Sequence, residues 1–572
     1  MNNLETLVNK IGLILIFLLI CLAYYCALIT GFSWDEYFHH INGLVRYKYL
    51  SSLGEFTKYD FRNNEFYPGL YDTISYAFGQ IFFHLNKKFY INNLAELIHF
   101  LNVTFASLSV LGLYLITKKL FDKNIAIYAS LITLTSPFFF GHMGMNSKDL
   151  IVFFSLIWFC YYFYRYCVDS QNSFKNLLFL SFFIGFGCGV RLTFLVVIFP
   201  VIICGLFYLF NKYRDQYLNL VKRLLLHLPI TLLITIFFVI LCWPHMIEEI
   251  KDGNFVKFFS LIVKNTINWL DGPKLGLING EFYPVFETPK TYFISIIFYR
   301  LPFYFSILIF FSYIFFSFKN FFIINRINNL NSKFILINVI AFFPILLALF
   351  LGANLYDNLR LFLFVIPFLS IIAALALSQI LNSFKDSLLS KFGLIIVLVL
   401  FSFSFYRFLI LTPYQYTYVN YSYLYLLESK GKWEHDYWGV SYKELVKKIK
   451  ETHSEDEIKN FKIADCGGGD WTLIYYLKKE LGIKRTYSNI EDLDQATHIV
   501  MNDRAFWDLN ENEQGKKYLN EDGSVNIKDL KEIFDVPGLN QKCFTYAGFK
   551  GEDVVSVKRA GLPLTIFRKI NQ

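Results

Sequence analysis

The stretch IGLILIFLLICLAYYCALITGFSWDEYFHH, residues 11–40, carries the two signals on which the fold is read. Its first part, 11–29, is free of charge and long enough to cross a bilayer as one helix, which takes roughly 20 apolar residues. No small-residue cleavage site follows, so the run reads as an uncleaved anchor and not a removable signal peptide. Directly after it, Asp35 and Glu36 sit where a helix would leave the apolar layer. Ionisable groups at that depth are costly to place, so they mark functional candidates by default.

The same pattern repeats along the chain. Of 572 residues, 55% are apolar and only 17% charged, with 66 Phe, 39 Tyr and 8 Trp. A soluble domain would carry roughly a quarter charged residues. This excludes a single soluble enzyme, a disulfide-stapled secreted scaffold and a disordered protein. Spans are expected at 11–31, 95–117, 124–140, 150–166, 174–190, 192–210, 224–243, 291–317, 334–352, 361–381 and 392–411, eleven in all. The apolar stretch 68–84 is interrupted by Pro68, Gly69, Asp72 and Gln80 and reads as a helix lying at the interface.

The net charge of +9 is concentrated ahead of residue 412. Beyond that point 23 basic residues meet 25 acidic ones, so the surplus belongs to the membrane part and reports topology, not nucleic-acid binding. Lys118, Lys119, Lys123, Arg165, Lys175, Lys212, Arg214, Lys222, Arg223, Lys319, Arg326, Lys333, Lys385 and Lys391 fall in one alternating set of loops. The short loops of the other set hold only Lys148, Arg191 and Arg360. The positive-inside rule puts the first set and the N-terminus in the cytoplasm. Loops 32–94 and 244–290 and the tail 412–572 then face outward, together with Asp35, Glu36, Lys148, Asp149, Arg191 and Arg360. The domain division expected is 1–411, a polytopic membrane unit, and 412–572, a soluble extracytoplasmic α/β domain read from YKELVKKIKE, FKIADC and THIVMND. Most of the nine cysteines lie in apolar runs; Cys466 and Cys543 are in the tail, where one disulfide is an option.

Each polar group has two readings. Asp35 and Glu36 are either interfacial polarity beside the belt residue Trp34 or a base at the membrane surface, where partial desolvation favours proton abstraction. In GHMGMNSKDL, Asp149 is either a helix cap or an acceptor-orienting or metal-binding carboxylate, with Lys148 or His142 meeting a phosphate. Arg360 either snorkels to headgroups or offers its planar donor fork to a phosphate; Arg191, in a very short turn, has the weaker case. The glycines of KIADCGGGDW read as a tight strand-to-helix turn and not a nucleotide loop, since their spacing is loose and adenosine cofactors are not supplied outside the membrane. No CxxC pair or HExxH supports a structural zinc site.

The ordered set WDE (34–36), FYPGLYD (66–72), GHMGMNSKD (141–149), NGEFYPVFETPKTYF (279–293), YDNLRLFLFVIP (356–367), TPYQYTYVN (412–420) and HDYWGVSYKE (435–444) resembles the GT-C membrane glycosyltransferases. Within them it is similar to glycosyltransferase family 39, which includes protein O-mannosyltransferases and lipid A aminoarabinose transferases. The resemblance runs from the first outer loop to the start of the tail. It implies transfer of a sugar from a polyprenyl-phosphate carrier to a lipid, glycan or protein acceptor on the extracytoplasmic face, in a bacterial inner membrane. It also implies Asp35 as general base accompanied by Glu36, Asp149 as a second acidic position, and Arg360 near the donor phosphate. Lys148, His142 and Tyr67 join Arg360 as phosphate-site candidates. Two positions depart from the pattern: Leu361 stands where the family often has His, and Tyr67 where the aminoarabinose branch has Lys.

The chemistry asked of such residues is specific. An acceptor hydroxyl needs a positioned carboxylate to take its proton, and a leaving phosphate needs cations where charge develops. No cofactor is compelled, with a divalent metal the one option, and the expected partners are the lipid-linked donor, the acceptor and membrane lipids, without nucleic acid. A transporter or flippase would share the many spans, yet no internal repeat of the kind such proteins show is present. A scaffold or receptor remains the other class; mutation of Asp35 and Asp149 separates it from an enzyme.

Overall fold

The computed structural model describes residues 2–56, 67–169, 173–254, 256–257, 259–260, 275–278, 281–284, 288–321, 329–351, 358–383, 387–420, 435–466, 470–487, 495–502 and 551–570. Phe66, Tyr356, Asp357, Cys543, the glycines 467–469 and, within 244–290, positions 255, 258, 261–274, 279–280 and 285–287 lie outside the described residues, and so do the readings placed on them.

Nine described helices are long and apolar enough to cross a membrane, and two bent pairs raise the number to eleven if each counts as one span. These coincide with the eleven expected runs. Lipid supplies no partner for backbone N–H and C=O groups, so each run closes its own hydrogen bonds as a helix. Two expected straight spans are broken. Helix α6 (Lys123–Thr135) turns by 72° into α7 (Pro137–Met145), and Tyr292–Arg300 turns by 112° into the helix beginning at Phe303. Each break precedes a proline: Ser136 before Pro137 and Leu301 before Pro302 are both extended, at ψ 109° and 136°. The pyrrolidine ring disfavours helical geometry in the residue before it.

Burial separates interior helices from lipid-facing ones. In the segment Arg360–Asn382, 89% of the most apolar window is buried, whereas in Arg214–Leu241 the figure is 6%. Phe138, Phe139, Phe153, Phe159 and Ile371 are fully buried in the main cluster. Lipid is as apolar as these rings, so close packing rather than expulsion from water holds such a bundle together.

Between α1 (Asn2–Ile29) and α5 (Leu94–Leu120), three shorter helices cover one end of the bundle: α2 (Trp34–Ser51), α3 (Leu70–Leu85) and α4 (Lys87–Asn92). Helix α3 covers the stretch read as an interfacial helix.

Beyond the last long helix, Leu388–Ile410, the tail forms helices at Tyr442–Thr452, Glu455–Lys459 and Asp470–Tyr476 around a four-stranded sheet. Strand Ile463–Cys466 runs parallel to His498–Asn502, which pairs antiparallel with Leu562–Ile570; Gly551–Arg559 completes the sheet. The first part of the tail is packed into the bundle end. Tyr414, Tyr416, Tyr437, Trp438 and Val440 share a core with Phe32, Leu94 and Met145.

Candidate active site

Helix α2 starts after a short link, residues 30–33, from the end of the first long helix, and its first turn carries both acidic residues. Glu36 reaches back to accept the N–H of Ser33 at 2.8 Å, the side-chain half of a capping box. The same carboxylate accepts from His99 Nε2 at 2.9 Å and Asn102 Nδ2 at 3.1 Å, and it is 1% exposed. Asn102 in turn accepts from the Tyr71 hydroxyl at 2.6 Å and donates to the Gly144 carbonyl at 2.7 Å. Glu36 is thus the hub of a buried network that ties four segments together. Both its oxygens are occupied by protein.

Asp35 differs sharply. Its side chain is 35% exposed, and its carboxylate lies 2.5 Å from Arg360 Nη1. Arg360 opens a short 3₁₀ segment, Arg360–Val365, ahead of helix Ile366–Asn382, and is itself 4% exposed. The turn before it places Asn358 at φ 63°, a left-handed conformation that Asn tolerates better than most residues. Arg300 fixes that turn: fully buried, it donates to Asn358 Oδ1 at 2.7 and 3.1 Å and to the Tyr418 carbonyl at 2.7 Å.

A second acid–arginine pair stands at the start of α8 (Asp149–Val168). Asp149 lies 3.0 Å from Arg191, with its side chain 3% exposed. The helix is capped by Asn146, whose Oδ1 accepts the N–H groups of Lys148 and Asp149 at 3.2 and 2.8 Å. Asp149 stands in the first turn of the helix, and its carboxylate faces Arg191 and the Asn146 amide, 3.1 Å away. The pair sits at the polar end of a groove of ≈ 540 Å³, otherwise lined mainly by apolar residues including Val152, Val196, Pro344 and Phe362.

Lys148 lies between the pairs. Its ammonium stands 3.7 Å from the centre of the Tyr67 ring, and both residues line a cavity of ≈ 280 Å³ with His39 and Asp72. Burial pushes the Lys148 amine down to about 7, with Arg191 adding to the drop and Asp72, Asp149 and Asp35 opposing it. His39, one turn beyond Asp35 on α2, places Nδ1 3.0 Å from Asp72. Burial alone would raise the Asp72 carboxyl, but His39, Arg46 and Lys148 outweigh it and hold the group below its ordinary value. Arg46 anchors the Tyr67 loop from beneath through the Tyr67, Pro68 and Cys242 carbonyls at 2.7, 3.3 and 3.0 Å. A Cβ on Gly69, at φ +72°, would lie 2.0 Å from the Arg46 Nε, so only glycine fits there.

His142 is fully buried in α7, 3.0 Å from the Tyr437 hydroxyl and packed edge-on against Trp438 and Phe138. The structure therefore brings Asp35 to Arg360, and Asp149 to Arg191, with Lys148 and Tyr67 beside them. Glu36 and His142 are buried, and protein groups already engage them. Sequence reading passed over Arg300, Arg46, Trp438 and the His39–Asp72 pair. The charged residues among these were visible as ionisable groups close to apolar segments; Trp438 carried no such signal. Among the described residues no group of three His, Cys, Asp or Glu side chains is placed to hold a metal ion.

Residues 87–243 match the family model described as dolichyl-phosphate-mannose-protein mannosyltransferase. The fold is similar to the archaeal oligosaccharyltransferase AglB from Archaeoglobus fulgidus, solved with an inhibitory peptide and a dolichol-phosphate: 12% identity, 90% of this chain and 73% of that one, TM-score 0.50. Similarity also extends to ArnT from Cupriavidus metallidurans bound to undecaprenyl phosphate, at 12% identity over 97% of both chains and TM-score 0.48. No curated protein matches the chain. The chain thus shares its fold with the archaeal oligosaccharyltransferase, and residues 87–243 carry the pattern of the mannosyltransferase family.

Proposed function

We propose that this chain moves a sugar from a polyprenyl-phosphate carrier to an acceptor hydroxyl by a single inverting displacement, with Asp35 as general base. The observation that carries this reading is the Asp35–Arg360 pair: a partly exposed carboxylate held 2.5 Å from a guanidinium whose side chain is 5% exposed. The two groups offer what the two ends of the reaction need. Asp35 accepts the acceptor's proton as its oxygen bonds to the anomeric carbon. The bond from that carbon to the phosphate oxygen breaks, and the electron pair leaves on polyprenyl phosphate. Arg360 and Lys148 stabilise the charge that develops there.

The groove beside Asp149 and Arg191, lined mainly by apolar side chains, offers such a carrier's isoprene units an apolar path. The dolichol-phosphate named for the archaeal oligosaccharyltransferase supports a lipid phosphate as the donor's class. Tyr67 packs against the Lys148 ammonium and so sets where that cation points. Glu36 and His142 position the site without touching substrate. The site faces away from the cytoplasm in this reading, with the N-terminus inside and the enzyme in a bacterial inner membrane; the loop charges support it. Proton abstraction by Asp35 follows either departure of Arg360 toward the phosphate or sharing of the guanidinium between both anions. Arginine's five donors permit the second.

The test is turnover of a panel of labelled polyprenyl-phosphate sugars by purified, lipid-reconstituted protein. Transfer or donor hydrolysis is expected from the wild type and not from Asp35→Asn. Equal turnover by both would remove Asp35 from its role. Absence of turnover on every donor, even with cell-lysate acceptor added, would count against the reaction itself.

A further inference from the structure

Asp35 and Arg360 are 325 positions apart in sequence, and the ion pair depends on something holding both. That element comes from the tail. The carbonyl of Trp438 accepts the N–H of Trp34 at 3.1 Å, the residue preceding Asp35 at the start of α2. The Trp438 ring lies under the Arg360 guanidinium, 4.9 Å from its centroid. One residue therefore grips both partners, by its backbone on one side and its π face on the other. A guanidinium over an indole face is attracted by the ring quadrupole, most strongly where water is excluded, and Trp438 is 3% exposed.

The strap that carries Trp438 is itself tied down. Val440, two residues on, accepts the Gly31 N–H at 3.1 Å, so residues 438 and 440 form two rungs across the junction of α1 and α2. Asp436 closes the turn: its carboxylate accepts from the N–H groups of Val440 and Ser441 at 2.9 and 3.2 Å and from the Tyr416 hydroxyl. Gly439 at φ +64° completes it, and a Cβ there would lie 2.6 Å from the Tyr442 ring. Tyr437 adds a contact to His142 at 3.0 Å. A strap fixed at so many points holds the indole at a defined height.

We infer that Trp438 is a positioning residue for the transfer, and that the site is built jointly by the membrane bundle and the first strap of the tail. This rests on the reading of Asp35 as base. Trp438 touches neither donor nor acceptor; it acts by fixing the separation and angle between the carboxylate and the guanidinium. Displacing catalytic groups by about 1 Å costs on the order of a hundredfold in rate.

Full-length Trp438→Leu and Trp438→Phe, reconstituted in lipid, test this with two readouts. The first is the rate at which a water-soluble carbodiimide and an amine label Asp35, read by mass spectrometry, which needs no enzymatic activity. The second is kcat and KM for a polyprenyl-phosphate sugar that the wild type turns over. Trp438→Leu is expected to label Asp35 severalfold faster and to lower kcat by about ten- to a hundredfold with KM little changed. Trp438→Phe, which keeps a smaller π face, is expected to fall between it and the wild type, and it replaces the Leu variant if that fails to insert. Unchanged labelling and unchanged kcat in an inserted variant would overturn the inference. Faster labelling in a protein whose wild type turns over no donor would sustain the positioning role while removing the transferase reading.

Discussion

Two acid–arginine pairs stand at the same end of the bundle with similar chemistry and opposite surroundings. Asp35 keeps about a third of its side chain exposed, and its arginine is gripped by a residue of the tail. Asp149 is almost fully buried, and its arginine borders the apolar groove. A carboxylate that water and small molecules reach is able to exchange a proton with an acceptor. One sealed against a guanidinium at the head of a groove is suited to holding a fixed geometry. In the proposed reading the same pair of residue types serves proton transfer in one place and the donor groove in the other, and accessibility decides which.

Breaking each pair should therefore show in different measurements. Asp35→Asn is expected to cost about 10²–10⁴-fold in turnover, the usual worth of a general base, and less in thermal unfolding than loss of Arg191, because the Trp438 ring still covers the Arg360 guanidinium. Arg191→Ala leaves the buried Asp149 carboxylate without its guanidinium, which costs roughly 3 kcal/mol, and it should appear as a lowered unfolding temperature in detergent. If Arg191→Ala unfolds like the wild type, or Asp35→Asn destabilises as much, the division between the pairs is wrong.

Lys148 sharpens the comparison because it feels both pairs. Burial first, and then Arg191, hold its amine at about 7 in the free protein, so it carries charge below that pH and loses it above. If it meets the donor phosphate, donor KM rises as pH climbs through about 7, by up to roughly tenfold per pH unit above it. Lys148→Met should raise KM at pH 6 and flatten that dependence. A pH profile identical in wild type and variant would remove Lys148 from the phosphate site.

Much of this architecture was legible in the chain. The eleven apolar runs were, because a lipid-buried backbone must close its own hydrogen bonds and so leaves long uninterrupted signals. The bends at Pro137 and Pro302 were present as X-Pro pairs but hidden inside apolar stretches that read as continuous. Asp35, Asp149 and Arg360 stood out as charges beside such runs. Their partnerships did not, since the Asp35–Arg360 contact joins residues 325 apart and only packing brings them together. Nor could adjacency distinguish Asp35 from Glu36: the rotation of about 100° per helical residue points the first toward Arg360 and the second into His99 and Asn102. A polar His99 and Asn102 within an apolar helix were the overlooked hint that a buried carboxylate needed partners.

The smallest expected effect tests whether the tail matters to one pair and not the other. Glu444 accepts from Arg559 at 2.6 and 3.2 Å and from the Tyr414 hydroxyl at 2.9 Å, joining the end of the sheet to the strap's root. Burial alone would raise its carboxyl, but Arg559, with Lys448 and Tyr414, outweighs this and lowers it. A carboxyl lowered by folding contributes stability above its unfolded value and loses it as pH falls through the folded one. Glu444→Gln should therefore cost about 1 kcal/mol at pH 7, as expected for a partly exposed pair, and the difference should shrink below about pH 4. Loosening the tail loosens the hold on Arg360, so the variant should lose turnover by about twofold while donor KM, set at the Asp149 groove, stays put. A change in KM with kcat intact would mean that the tail supports the groove pair instead, reversing the assignment of the two.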